Sequence, residues 1–226
     1  MRSRLVVTWL CSLGLLGTAA NLAAQGSAAG PAGELDPKLV GNRFAPLTWG
    51  EMSEAQKTMT RHVLDGPRTG MTGPFNVMLR SPVMGDLAQE LGAQVRFNSS
   101  LPAPLREMAI LMAARHWTGH YEWQAHKALA LEAGLDPTIV ASIAAGERPR
   151  SMQSNEAALH RFCSELLETK RVGDETFAAT KAAFGEQGMT EIMFTLGYYS
   201  LVSMLLNVDE HPLPAGVVPE LKPLAN

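Results

Sequence analysis

Glu122 and His126 stand four residues apart in GHYEWQAHKALALEAGL, residues 119–135. On a helix, that spacing stacks a carboxylate and an imidazole on one face. A carboxylate beside an imidazole raises the ring's pKa and fixes its tautomer, which prepares it for proton transfer near neutral pH. The same spacing also produces exposed surface pairs worth only a few tenths of a kcal/mol. Tyr121 and Trp123 flank the pair and would exclude water from it. Glu107 raises a related question. It lies in LREMAILMAA and is followed by apolar residues through Ala114, so its helix is predicted to be buried. A buried carboxylate must be paired, hydrogen-bonded or protonated. A partly solvated one near a helix start is simply favoured by the helix dipole.

The remaining candidates carry less chemistry. His116 and His120 have a zinc-type spacing. Thr118-Gly119 breaks the helix between them, and Glu122, His126 and His211 supply no recognisable third-ligand pattern. Neither a metal nor a cofactor is expected. Cys163 falls on the apolar stripe of its helix and is predicted to pack, not react. His62 and His160 read as surface residues of amphipathic helices. Tyr198-Tyr199 lies in an apolar helix, as core or pocket wall.

The elements that must position these groups read as helices throughout. Met52, Ala55, Met59 and Val63 recur at helical spacing over 48–66, and Gly66 stops the run. A loop follows, with Gly66, Gly70 and Gly73 beside Pro67 and Pro74. Ser81-Pro82 opens a helix to about Phe97. Another helix spans 102–117, and a further one runs from the Thr118-Gly119 break to Ala133, capped by Gly134. Asp136-Pro137 starts a short helix that Gly146 ends. Leu159, Phe162, Cys163, Leu166 and Leu167 mark a helix over 155–170. Asp174 caps one over 175–184, and a long apolar helix covers 188–208. The tail after His211 is proline-rich and extended. No stretch alternates as a strand, so the fold class is all-α, in one domain over 49–226.

The helices at 104–117 and 190–207 are apolar on nearly all sides and must be covered all round. A chain of this size covers two such helices poorly by itself, which predicts an oligomer.

The first 24 residues have the form of a secretory leader. Arg2 and Arg4 precede an apolar run from Leu5 to Leu16, and LAAQ offers a cleavage site near Ala24. Residues 25–48 read as a linker and extended arm. The protein is therefore expected to be exported, periplasmic or secreted, with no membrane attachment after cleavage. No later stretch is expected to span a bilayer. Loss of Arg2 and Arg4 would take the formal net charge from −3 to −5. Basic residues are neither in excess nor clustered, which excludes nucleic acid as a partner. Cys11 would leave with the leader, so Cys163 has no intrachain partner.

LREMAILMAARHWTGHYEWQAHKALALEAGL (105–135) resembles the core of the carboxymuconolactone decarboxylase / AhpD-like family. GPFNVMLRSP (73–82) and GYYSLVSMLLNVDEHPLPAG (197–216) extend the resemblance from about Pro67 to Pro214. It implies an AhpD-like helical bundle assembled as homotrimers or hexamers. The alkylhydroperoxidase branch carries a glutamate, matched by Glu107, then C-x2-C-x3-H, whose histidine is matched by His126. The two cysteines would fall at Gly119 and Glu122, so the dithiol is missing and its peroxidase cycle has no thiols to run on. The decarboxylase branch carries a glutamate and a histidine four apart, matched by Glu122 and His126.

The resemblance thus implies a cofactor-independent lyase or isomerase acting on a small lactone or unsaturated carboxylic acid. Its reference reaction is decarboxylation of 4-carboxymuconolactone. His126 would be the general acid/base, Glu122 would orient and tune it, and Glu107 would carry a second proton or hold the ring. Arg80, Arg96 or Arg115 would bind a substrate carboxylate, and Trp123 would line the site. The alternatives are a non-enzymatic exported oligomer that binds a small molecule, and an AhpD-type antioxidant, which the absent dithiol disfavours.

Overall fold

A computed structural model describes residues 35–224. The proposed leader and the first part of the arm lie outside the described residues. Eight α-helices, and no strand, occur among the described residues, so the chain is all-α. The helices are α1 (Glu54–Asp65), α2 (Phe75–Met78), α3 (Pro82–Phe97), α4 (Ala103–His116), α5 (His120–Glu132), α6 (Pro137–Ala145), α7 (Ser154–Thr169) and α8 (Asp174–Asp209).

Local chemistry sets most boundaries. The helix expected from residue 48 begins only at Glu54, after a separate 3-10 turn at Trp49–Glu51. The cause is a capping box: Ser53 Oγ accepts from Gln56 N–H and Gln56 Oε1 accepts from Ser53 N–H at 2.8 Å. Asp136 Oδ1 accepts from Thr138 N–H at 2.7 Å and caps α6. Gly173, not Asp174, occupies the N-cap of α8. The two helices expected over 175–208 form one element with a break at Gly185, whose φ of 67° and ψ of −178° are accessible to glycine at little cost.

α4 is the central element. Every side chain from Glu107 to Arg115 is buried, and α5, α6, α7 and α8 pack around the helix. The expectation that one chain could not cover it is therefore corrected: four neighbours from the same chain suffice. α8 differs. Its Ile192, Leu196, Tyr199, Val202 and Leu206 face the core, while Phe194, Met204 and Val208 remain exposed. By length and composition α8 also could cross a membrane, contrary to the sequence expectation. Half of its most apolar window is buried in the core against α4 and α7, as in the core helix of a globular protein.

The arm and tail are tied down by specific bonds. Asp209, fully buried, accepts from the backbone N–H groups of Asn42 and Phe44 at 3.1 and 2.9 Å. In the tail, Leu221 is buried and Glu220 accepts from Trp123 Nε1 at 3.2 Å and from Lys127 Nζ.

Glu191 on α8 joins that helix to the α3–α4 turn. It accepts from Ser99 Oγ and Ser100 N–H, both at 2.7 Å, and from Ser100 Oγ at 2.9 Å. Burial raises its pKa, but the bonds from Ser99, Gln187 and Ser100 outweigh this and bring it down to about 2 from an ordinary 4.5. A depressed carboxylate pKa stabilises the fold above the unfolded value, and that stability is lost as pH falls through the folded value. Glu191→Gln is therefore expected to lower the melting temperature at pH 7 and to converge with the parent near pH 2. Thermal unfolding across that range checks it, and parallel curves would refute it.

Candidate active site

Glu107 comes from α4, Glu122 and His126 from α5, and the two helices form a tight hairpin. The turn is enforced by Thr118, at φ 47°, and by Gly119 N–H donating to Ala114 O at 2.8 Å. Asn207 of α8 donates to Trp117 O at 2.8 Å and fixes the turn against the third helix. This brings residues nineteen apart in sequence into contact. His126 Nδ1 lies 2.7 Å from Glu107 Oε2, and His126 Nε2 lies 3.4 Å from Glu122 Oε2. All three residues are 4 % exposed. The exposed-pair reading of Glu122 and His126 is thereby corrected, as is the partly solvated reading of Glu107.

Two tyrosines complete the enclosure. The Tyr199 ring meets His126 edge-on with centroids 4.8 Å apart, and Tyr198 meets Tyr199 at 5.3 Å. Tyr198 reaches this position because Gly92 on α3 has no Cβ; an added one would collide with the phenol oxygen. Burial is the main reason both phenols are pushed above their ordinary pKa, so they remain protonated at neutral pH.

Burial also raises the Glu122 carboxyl, although His126, Arg96 and Arg68 each pull it back. His126 Nε2 and Glu122 Oε2 are in contact at 3.4 Å but are not hydrogen-bonded, and a small realignment of the two would let a proton pass between carboxyl and ring.

Glu122 and His126 line a cavity of ≈ 330 Å³ bounded by the 67–75 loop, the end of α3, α5 and α8. Glu107 is not in its wall and lies behind the ring. Arg96 lines the cavity, as does Arg68. Arg68 was missed by sequence reasoning because it sits in a glycine-rich loop outside any periodic element. Its Nε is buried without a partner, and its guanidinium lies over Phe75 and Phe97 at 5.1 and 5.8 Å. Two cations therefore face a cavity whose proton-carrying groups are acidic.

Three expected substrate contacts are elsewhere. Arg80 is exposed and holds the arm through Ala45 O and Asn76 Oδ1. Arg115 lines a different cavity. Trp123 is 1 % exposed, and its indole is core, because it points to the opposite side of α5 from the cavity wall residues Glu122 and Ala125. His160, expected at the surface, is also buried. Cys163 is fully buried, and burial pushes its thiol well above the ordinary range, as suits a packing residue.

Among the described residues, the set of three side chains close enough to share a metal is His62, Asp86 and Glu90, on the outer faces of α1 and α3. None of them lines the cavity. His116 and His120 join no such set, since the Thr118-Gly119 turn separates their helices.

No protein-family model matches this chain, and no curated protein is significantly similar to it.

The elevated Glu122 pKa has a consequence for stability. A raised carboxyl pKa means that the fold is penalised above the unfolded value, increasingly as pH rises through the folded one. Glu122→Gln carries no such penalty. Its melting temperature relative to the parent is expected to improve steadily as pH is raised above about 4.5. A constant difference between the two proteins from pH 4 to 9 would contradict the assignment.

Proposed function

We propose that this protein is a cofactor-independent acid–base lyase or isomerase of the carboxymuconolactone decarboxylase type, acting on a small lactone or unsaturated carboxylic acid. One observation carries the reading: the buried Glu107–His126–Glu122 relay opens onto a cavity that also presents Arg68 and Arg96. The arginines would bind a substrate carboxylate and orient the acid. In a decarboxylation, the bond from carbon to the departing carboxylate breaks and carbon dioxide leaves. The electron pair moves into the adjoining unsaturated system, and the carbon acceptor takes a proton from the His126–Glu122 pair, which solvent then restores. Glu107 holds Nδ1 and keeps Nε2 directed at Glu122. In an isomerisation the same pair removes a proton at one carbon and returns it at another.

The test is a turnover screen of the purified protein with lactones, β-keto acids and unsaturated acids, using Glu122→Gln and His126→Ala as controls. Turnover that both substitutions abolish supports the reading. Binding without turnover in every class would favour a non-catalytic small-molecule carrier. An AhpD-type thiol cycle finds no support in Cys163, which is buried and free among the described residues.

The proposal includes self-association and export. Val83, Met84 and Leu87 on α3 are each at least 64 % exposed, and Phe194, Met204 and Val208 stand out on α8. Unpartnered apolar faces of this kind mark protein interfaces. The protein is expected to run as a trimer or hexamer in light scattering, and Met84→Glu with Leu87→Glu to yield monomers. A monomeric parent would overturn this part of the reading.

A further inference from the structure

A second cavity, of ≈ 490 Å³, lies at the far end of α4, between α6, α7 and the tail. Arg115 is set into its wall more than two helical turns from Glu107. The residue is 6 % exposed. Nη2 donates to Lys222 O at 2.8 Å, but Nε and Nη1 are buried without an acceptor. No carboxylate among the described residues lies within ion-pairing distance of it. A buried guanidinium left unpaired is costly, and burial lowers the Arg115 pKa for this reason. The remaining wall is part apolar, from Met112, Ile143, Leu167 and Leu224. Glu165 also faces the cavity but is committed to Arg161, Thr176 and Gly173.

We propose that this cavity binds a small organic monocarboxylate, with its charge on Arg115 and its apolar body against Met112, Ile143 and Leu167. The lining carries three arginines, Arg115, Arg148 and Arg161, against three acids, Glu147, Glu165 and Glu168, so it has no excess of positive charge with which to hold a multiply charged phosphate, which favours a single negative charge. The site is separate from the proton-transfer cavity and does not depend on the reading of that cavity.

The probe is octanoate, followed by thermal unfolding of the full protein, with octanamide as the neutral control. Octanoate at ten times its dissociation constant is expected to raise the melting temperature by about 3–6 °C, and octanamide to leave it unchanged. Arg115→Met abolishes the shift, while Arg96→Met, in the other cavity, retains it. Should Arg115→Met not fold, Ser164→Trp fills the cavity from half-buried α7 and abolishes the shift equally. The proposal is overturned if octanoate has no effect or if octanamide matches it. A shift that survives Ser164→Trp, or one lost in Arg96→Met, overturns it as well.

Discussion

His126→Ala is expected to lower turnover on the substrate found by screening about 10³-fold, the usual weight of a positioned general acid or base. The effect should fall on kcat, because the arginines that would hold the substrate, Arg68 and Arg96, come from a loop and a helix that do not depend on His126. KM should change little. The substitution also removes the ring that pulls the Glu122 carboxyl down, leaving burial to raise it further against Arg96 and Arg68 alone. The variant should accordingly lose stability more steeply than the parent as pH rises above neutrality. Glu107→Gln is a graded companion. It retains a hydrogen bond to Nδ1 but removes the negative charge beside the ring, so kcat should fall less than in His126→Ala while some turnover survives. A His126→Ala protein with parental kcat would end the proton-relay reading.

Trp123→Ala is expected to destabilise the protein by about 3–5 kcal/mol, the range for emptying a large aromatic from a core. Trp123 is 1 % exposed and among the largest fully buried side chains. Its Nε1–H also secures Glu220, which Lys127 holds from the same helix. Trp123→Phe keeps most of the volume and loses only that hydrogen bond, so it should cost about 1 kcal/mol. Both variants should keep the parental KM once folded. A residue lining the substrate cavity would show the reverse, with KM altered and stability nearly unchanged. Denaturant unfolding together with steady-state kinetics on the Phe variant separates the two roles.

The contrast between Trp123 and Glu122 shows where sequence reading stops. Adjacent helical residues point about 100° apart, so one can enter a cavity while the other enters the core. Type and neighbourhood suggested that both faced a ligand. Only the position of α8, with Tyr199 against His126, decides which side of α5 is cavity. The arginines teach the same lesson. Arg80, Arg96 and Arg115 are equivalent as sequence features, yet one braces the arm, one faces the relay and one lies in a second cavity. Arg68 had no signal beyond its charge in a glycine-rich loop.

By itself the sequence determined the all-α class, the helix-breaking turn at Thr118-Gly119 and the stop at Gly146. Each follows from local rules that act within one helical turn: caps, left-handed residues and apolar periodicity. The i, i+4 relation of Glu122 and His126 was legible for the same reason. The tertiary structure decided that Glu107 reaches His126 at 2.7 Å, that α4 is wrapped by its own chain, and that Arg68 joins Arg96 at the cavity. These depend on how helices distant in sequence pack against one another. That packing is set by side-chain volume, such as the missing Cβ of Gly92 beneath Tyr198, and not by any local pattern.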